Sequence, residues 1–431
     1  MLVNRSSDGV ELDSFGAWVT LLSASMFFFF VFGQMNVMNT IQGELVRDLH
    51  LTEHDISNLY SAFFYGNVLF VVPAGLILDR VEIKKLLISV FVLALLATGL
   101  FASVKSVQLM ALARFVLGLV GAFGFISLVK LSARCFTSRR MGLAVAVFSS
   151  WCTVGGMIAQ APAAWLMQRI GWRSTLQCMV LVGLLFAFMQ CFAIRLPANG
   201  TDRVDGSMDS DGTHHINEAE YQWWNSIRLV ANNAQNWLCG LYSSATNLAV
   251  FLLGGVFGVP FLRIAHGYDL LDASMIVSTL FLGMIIGNIV FGKLPEYFGL
   301  RKPPMVIGAI AHVIVSLIIL LAHGISVWQM TLLFALCGVV SGCQVLSYPV
   351  IAESNAASLT ATASSLSAML LVAGGTVAHV YSALLMWHGN SEWVASDFAR
   401  ANLLLLSASL LALLCAIRVK ETYCRSIVDS R

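Results

Sequence analysis

The chain has 431 residues, of which 58% are hydrophobic and 11% are charged, and its mean hydropathy is +0.81. A soluble core cannot bury that much apolar surface, so the composition excludes a soluble protein and predicts one that resides in a bilayer. The formal net charge of +2 is too small to indicate a nucleic-acid partner. Nine cysteines are scattered without CxxC or CxxH spacing, so neither a disulfide framework nor a metal site is expected.

Residues 1–16 are polar and lack the basic start, short apolar core and cleavage site of a secretory signal, so no cleavage is expected. Twelve apolar runs follow, and each is long enough for a bilayer that needs roughly 20 residues per helix. These runs are predicted as spans 1 to 12, at residues 17–40, 56–78, 86–104, 107–133, 141–166, 174–195, 237–262, 272–293, 304–322, 327–350, 361–387 and 399–418.

The basic residues indicate which side of the membrane holds the termini. With a cytoplasmic N-terminus, 17 Lys and Arg lie in inner segments and 6 in outer loops, while Arg114 and Lys130 lie within spans. Because cytoplasmic loops carry the excess of Lys and Arg, both termini are predicted to be cytoplasmic.

A long polar interval divides the spans six plus six. Its first part is rich in Asp, Gly and Ser, which indicates a linker. Its later part, Glu218 to Leu229, carries aromatic residues among polar ones and predicts a helix on the inner membrane face. The predicted domains are a six-helix bundle at 1–195, a cytoplasmic linker at 196–236, a second six-helix bundle at 237–418 and a cytoplasmic tail at 419–431.

A short polar stretch occurs twice, each time between two apolar runs. The second copy lies 217 positions after the first and has its glycine, acid and paired bases at the same offsets. A repeat in register predicts two related halves. The residues are Gly75, Asp79, Arg80, Lys84 and Lys85 in the first copy, and Gly292, Glu296, Gly299, Arg301 and Lys302 in the second.

The first copy resembles the loop between helices 2 and 3 of major facilitator superfamily transporters. Arg114, followed by Gly118 and Gly121, resembles the span-4 motif of the same superfamily. The resemblance implies an all-α membrane protein with twelve transmembrane helices in two pseudo-symmetric six-helix bundles, and a cavity lined mainly by spans 1, 4, 7 and 10. The repeated loops are expected to form a cytoplasmic latch, because their acids favour a helix N-terminus and their bases the cytoplasmic surface.

Candidate substrate-binding residues lie within the spans. An arginine in a span costs roughly 2.5 to 3.5 kcal/mol on insertion scales, so Arg114 is expected to face protein or water, where it could meet a substrate carboxylate. Amide and hydroxyl groups orient a small polar solute by hydrogen bonds, although the same groups also join helices. The other candidates are Gln34, Asn36, Asn67, Asn247 and Tyr348.

Charged groups near the inner surface predict a gate. Lys130 or Arg134 of span 4 is expected to pair with Glu353 of span 10, because that acid would otherwise be isolated. All 23 Asp and Glu lie in loops or at span ends, so no mid-membrane carboxylate is available for proton coupling. His312 and His379 are the mid-span titratable alternatives, and a neutral packed state is expected for each.

Three phrases, Phe27–Asn36, Asn236–Asn247 and Tyr348–Asn355, resemble the phagosomal nutrient transporters of intracellular bacteria. That resemblance implies a monomeric symporter or uniporter that takes up an amino acid or related nutrient at a bacterial inner membrane, without a cofactor. A second resemblance is to lysosomal dipeptide carriers. A dipeptide or organic-anion carrier, an exporter and a nutrient receptor on a transporter fold stay open, although span 5 lacks the Gly-Pro pair of drug exporters. No phosphate loop, metal cluster or nucleophile-base spacing indicates an enzyme.

Overall fold

The computed structural model describes residues 14–136, 138–194, 228–322, 324–355, 359–387 and 393–423, and the regular structure of these ranges is helical. The chain forms two compact units, Met1–Ser207 and Met208–Arg431. Ten of the twelve predicted spans contain helices long and apolar enough to cross a membrane. The linker predicted at 196–236 lies largely outside the described residues.

The first unit contains spans 1 to 6. Span 1 comprises Phe15–Asn36 and Met38–Leu49, span 2 is Glu53–Arg80, span 3 is Ile83–Ser103, span 4 is Val107–Cys135, span 5 comprises Ser138–Ile158 and Ala161–Ile170, and span 6 is Trp172–Ala193. Span 6 exposes one large apolar side chain after another, which suits contact with lipid. These residues are Leu181, Val182, Leu184, Leu185, Phe188, Met189 and Phe192.

The second unit contains spans 7 to 12. Span 7 comprises Ala234–Ala249, the π-helical segment Val250–Phe257 and Gly258–His266. Spans 8, 9 and 12 are the single helices Leu270–Phe298, Lys302–Leu321 and Ala395–Arg418. Span 10 comprises Val327–Ser341, a 3₁₀ segment Gly342–Leu346 and Ser347–Glu353. Span 11 comprises Thr360–Ala373, a 3₁₀ segment Gly374–Val377 and Ala378–Leu385.

Spans 2 and 4 touch backbone to backbone, and so do spans 8 and 10. A Cβ added at Gly118 would lie 1.8 Å from the carbonyl oxygen of Phe63, and one at Gly338 would lie 1.9 Å from that of Leu280. Gly338 follows Gly118 by 220 positions, close to the spacing of the repeated polar loop. Only glycine permits such an approach, so the packing of these pairs repeats in the two halves.

Several spans are interrupted in their middle, which their apolar sequences did not predict. Span 1 breaks at Val37, span 5 breaks at Gln160 just before Pro162, and spans 7, 10 and 11 change to π or 3₁₀ geometry. Irregular backbone at membrane depth is tolerated only where protein or water satisfies its polar groups. The interruptions therefore mark places where side chains must reach the backbone.

The glycine contacts generate a prediction. We expect Gly118→Ala to lower the free energy of unfolding by about 1 to 3 kcal/mol or more, because the added methyl overlaps the backbone of span 2. Gly99→Ala is the matched control, since a Cβ at Gly99 meets nothing within 4 Å. Melting temperatures of the purified variants measure the difference, and equal stability of the two would contradict the close contact.

Candidate substrate-binding site and inner-end charge cluster

Arg114 is buried in the first unit, with 2% of its surface exposed. Its Nη1 donates to the carbonyl of Gln34 at 2.6 Å, its Nη2 to that of Met35 at 3.5 Å, and its Nε to that of Leu59 at 3.3 Å. Its guanidinium also lies 5.3 Å from the ring centre of Phe63. The planar fork thus joins span 4 to spans 1 and 2 through backbone acceptors.

The break in span 1 explains these bonds. The last carbonyls of a helix have no partner within it, and the end of a helix carries partial negative charge. Arg114 takes two of these carbonyls, and Gln160 Nε2 donates to a third, that of Asn36, at 3.2 Å. In return, Thr40 Oγ1 donates to the carbonyl of Ala159 at 2.9 Å, where span 5 breaks. The two breaks satisfy each other.

The amide candidates of the first unit lie around this break, in different surroundings. Gln34 places its Nε2 3.4 Å from Met179 Sδ and lines an apolar cavity of about 220 Å³ between spans 1, 5 and 6. Asn36 donates to the carbonyl of Phe32 at 2.7 Å, while its Oδ1 is buried without a hydrogen-bond partner among the described residues. Asn67 is buried against Gly121 of span 4.

The second unit contains a contact between spans 7 and 10 that we call the polar seam, formed by Ser243, Asn247, Gln344 and Ser347. Ser243 Oγ donates to the carbonyl of Gln344 at 3.3 Å and shares a short hydrogen bond with the Ser347 hydroxyl. Asn247 lies one helical turn beyond Ser243 on the same face. Tyr348 follows Ser347 and is half-buried. Asn247 was predicted from the sequence as a substrate-binding residue, and Gln344 was not.

Two oxygens of the seam have no hydrogen-bond partner in the part of the chain that the structure describes. Asn247 Oδ1 and Gln344 Oε1 are buried, and neither accepts a hydrogen bond from the described residues. Their residues are 4% and 7% exposed. Leaving a buried acceptor unpaired costs about 1 to 3 kcal/mol. Two such acceptors on facing spans therefore indicate a place that a solute with donor groups would fill.

Glu353 has a partner within its own unit, which corrects the expectation that it would be isolated. It accepts from Arg301 Nη2 at 2.7 Å and from Arg301 Nε at 3.2 Å, and the hydroxyl of Thr422 donates to its second oxygen. Both side chains are mostly buried, at 14% and 19% exposed. The repeated polar loop is thus tied to span 10 and to the segment after span 12.

Glu421 completes this inner-end cluster. Its carboxylate accepts from the backbone N–H groups of Arg301 and Lys302, each at 2.8 Å, where span 9 begins without a side-chain cap of its own. Partial burial alone would raise its pKa, but donation by these groups, and by the N–H groups of Tyr423 and Thr422, holds the pKa of Glu421 below its ordinary value. A carboxylate at a helix N-terminus suits the helix dipole.

Several of the remaining residues that were predicted to form the latch and the gate have contacts in the structure. Lys130 donates to the carbonyl of Leu78 in span 2 at 2.6 Å, and Lys85 pairs with Glu82 at 2.9 Å on the surface. Gly75, Lys84 and Arg134 lie at the predicted inner ends of spans 2, 3 and 4. The side chains of Asp79, Arg80 and Glu296 lie outside the described residues. The latch therefore stays a prediction.

The chain forms two units of membrane-spanning helices, and polar side chains satisfy the backbone at several of the helix breaks. The sequence matches the family described as Major Facilitator Superfamily over residues 23–379. The chain belongs to that family. It is a multi-pass membrane transporter and not an enzyme, as predicted.

The relatives are distant. The chain is 24% identical to the probable galactarate/D-glucarate transporter GudP of Bacillus subtilis (strain 168) over 344 residues, 73% of this chain and 74% of the relative. It is 24% identical to protein TsgA of Salmonella arizonae over 303 residues, 70% and 71% of the two chains. The fold is similar to a bacterial homolog of the human lysosomal transporter Spinster, solved inward-facing and unoccupied, with TM-score 0.68 and 15% identity over 97% of this chain and 99% of that one. The resemblance to phagosomal amino-acid transporters is not confirmed.

Arg114 generates a stability prediction. In Arg114→Lys a single ammonium replaces a fork that holds three carbonyls, so at least one charge-assisted hydrogen bond is lost and stability should fall by about 1.5 to 3 kcal/mol. Arg47→Lys is the control, because Arg47 forms an exposed ion pair with Glu44 and should change stability by less than about 0.5 kcal/mol. Thermal unfolding of both variants checks this, and an unaffected Arg114→Lys would refute the backbone role.

Glu421 generates a pH prediction. Its folded-state pKa lies below the ordinary value, so its stabilising effect is complete near neutral pH and is lost as the pH falls through the folded-state value. We expect Glu421→Gln to speed amide exchange at Arg301 and Lys302 on the order of threefold to tenfold at neutral pH. Glu44→Gln is the control. Hydrogen exchange measures both, and unchanged exchange at Arg301 in Glu421→Gln would rule out the cap.

Proposed function

We propose that the chain transports a small polyhydroxylated carboxylate, of the sugar-acid class, by alternating access. The observation that carries this proposal is the pair of unpartnered oxygens in the polar seam, Asn247 Oδ1 and Gln344 Oε1. Hydroxyl groups are donors that suit such acceptors. The names of the GudP relatives in Bacillus subtilis and Escherichia coli support the class, since they specify galactarate and D-glucarate.

The charge of the spans also favours this class. Among the described residues, the carboxylates lie at or beyond span ends, so an anionic solute would meet no fixed negative charge in mid-membrane. Arg114 supplies a fixed positive charge that is buried within span 4. Each of its terminal nitrogens has a second N–H beyond the one bonded to span 1. A carboxylate near this break would be favoured by that charge.

Amino acids form the second candidate class. An ammonium group is also a donor, so the same two amide oxygens suit it. We further propose that the repeated loops act as a latch, that Lys130 or Arg134 meets Glu353 transiently at the inner gate, and that the protein works as a monomer in a bacterial inner membrane with cytoplasmic termini. Because Glu353 is bound to Arg301, such a gate would need this pair to exchange partners.

The test is uptake of labelled solute into proteoliposomes that contain the purified protein. The panel holds D-glucarate, galactarate, neutral amino acids, a dipeptide and a nucleoside. Saturable accumulation of a sugar acid supports the proposal, accumulation of amino acids alone selects the second class, and binding without accumulation indicates a receptor. Uptake of none of the sugar acids would overturn the first proposal.

The seam supplies a matched pair of variants. Gln344→Met and Asn247→Leu keep volume and remove the acceptor, so KM should rise on the order of threefold to tenfold for each, the effect of one lost neutral hydrogen bond. Gln190→Met is the control, because Gln190 is a buried amide on span 6, away from the seam, whose Nε2 bonds the carbonyls of Ser23 and Ala24 and whose Oε1 also accepts no hydrogen bond from the described residues. A rise in KM for Gln190→Met alone would place the site elsewhere.

A further inference from the structure

His312 lies on span 9 and is 1% exposed. Its ring contacts three other spans of the same unit. Nδ1 lies 2.8 Å from Ser409 Oγ of span 12, and Nε2 lies 3.0 Å from the carbonyl oxygen of Thr246 in span 7 and 3.2 Å from Ser341 Oγ in span 10. Both ring nitrogens are therefore engaged. The histidine is packed, as the sequence predicted, and its Nε2 contacts belong to the interrupted spans 7 and 10.

The contact with Thr246 lies where span 7 changes its geometry. The amide of Val250 donates to the carbonyl of Asn247, three residues back, and the π-helical segment Val250–Phe257 begins there. The Thr246 hydroxyl bonds the carbonyls of Tyr242 and Ser243, which favours bending. A carbonyl only accepts, so the bond to Thr246 fixes the hydrogen on Nε2.

Nδ1 is left to gain or lose a proton. The Ser409 hydroxyl has two acceptors, His312 Nδ1 and the carbonyl of Leu405 at 2.7 Å. With a neutral ring, Ser409 donates to Nδ1. When Nδ1 takes a proton from water, the new N–H donates to Ser409 Oγ and the Ser409 hydrogen turns to Leu405. Ser316 Oγ lies 2.8 Å from Ser409 Oγ, and its hydroxyl rotates to keep a hydrogen bond with Ser409 in both states. Both charge states are therefore hydrogen-bonded without repacking.

The charge state of His312 depends on its hydrogen bonds to the neighbouring hydroxyl and carbonyl groups, because the charged side chains of the packed spans lie at the span ends. The titratable side chains within the packed spans are thiols and phenols, which are neutral near pH 7. They are Cys239 and Tyr242 of span 7, Cys337, Cys343 and Tyr348 of span 10, and Cys415 of span 12. Charged groups lie at the ends of these spans: Arg263 on span 7, Lys302 on span 9, Glu353 on span 10, and Asp397, Arg400 and Arg418 on span 12.

Arg114 plays a comparable part in the first unit, although it stands on span 4 and His312 stands on span 9. There, a basic side chain from another span takes the carbonyls at the break of span 1, and here His312 takes the carbonyl at the change in span 7. Arginine keeps its charge at all physiological pH values, whereas histidine titrates near neutrality. In both halves a basic side chain from another span thus donates to carbonyls at a helix interruption. The two side chains differ in whether they can release a proton.

We infer that His312 is a proton-binding site, and that its protonation on Nδ1 is coupled to the geometry of span 7 and so to solute movement. The ligand is the proton, taken from water on one side of the membrane and released to water on the other. The coupling to transport rests on the proposed function. The binding of the proton does not.

The first experiment needs no substrate. Protein with isotope-labelled histidine rings, held in lipid nanodiscs, is titrated by NMR from about pH 8 to about pH 4.5, the range in which histidines change charge. We expect one ring that is hydrogenated on Nε2 at high pH to gain a proton on Nδ1. That signal should vanish in His312→Gln and persist in His379→Gln, the matched mid-span control.

We expect the His312→Gln variant to fold, because its amide donates to Thr246 and accepts from Ser409 while binding no proton. In proteoliposomes with a trapped pH dye, D-glucarate uptake by the wild type should carry protons and rise on the order of tenfold with an inward proton gradient. His312→Gln should lose that rise and keep exchange of internal for external D-glucarate, and His379→Gln should behave as the wild type.

Each outcome decides one point. A His312 ring that stays neutral in the folded protein throughout the titration overturns the proton site, and a wild-type gradient response in His312→Gln overturns its coupling to transport. Titration of the ring without D-glucarate uptake in the wild type retains the proton site and refutes the proposed substrate class. Uptake in the wild type that ignores the gradient overturns the coupling.

Discussion

The bond between Arg114 and the end of the first helix of span 1 is the interaction on which the first half depends. A helix that stops at Asn36 within a membrane span exposes carbonyls that need partners, and a guanidinium buried within a membrane span is costly without acceptors. Each defect offsets the other. The guanidinium receives the carbonyls of Gln34 and Met35 together with the negative end of the helix dipole. The break and the arginine therefore require each other.

The second half repeats the backbone plan with different side chains. Glycine contacts join spans 8 and 10 as they join spans 2 and 4, and span 7 is interrupted as span 1 is. Yet the residue 220 positions after Arg114 is Phe334, which carries no donor. The polar partner arrives instead from span 9, as His312. The two halves therefore have related backbones but different basic residues at the interruptions, Arg114 and His312. We expect only the half with His312 to respond to pH, whereas two arginines would give no such difference.

The sequence predicted the features that depend on local composition. Hydropathy located the spans, and the repeated loop indicated two halves, because membrane insertion and helix contact act on short stretches. The break at Val37 was not predictable in this way. Neither glycine nor proline lies beside it, and the break depends on Arg114, about 80 residues further along. The partner of Glu353 was missed for the same reason, since Arg301 is distant in sequence and had been assigned to the latch.

Several residues of the phrases that resembled amino-acid transporters serve to pack the helices. Phe27 stacks edge-on against Phe91, and Phe29 stacks on Trp151. Asn236 and Asn355, from the other two phrases, bond each other at the inner ends of spans 7 and 10. Such residues report how helices meet in this fold and carry little information about the solute.

The polar seam and the proton site meet within one turn of span 7. Thr246 gives its carbonyl to His312, and the amide oxygen of the next residue, Asn247, accepts no hydrogen bond from the described residues. The peptide bond between these two residues connects the proposed proton site to the seam. No carboxylate lies in the middle of the described spans. A proton on His312 would therefore attract an anionic solute, and no fixed negative charge beside it would repel that solute. Adjacent residues on one interrupted helix thus give a short physical route from proton to solute.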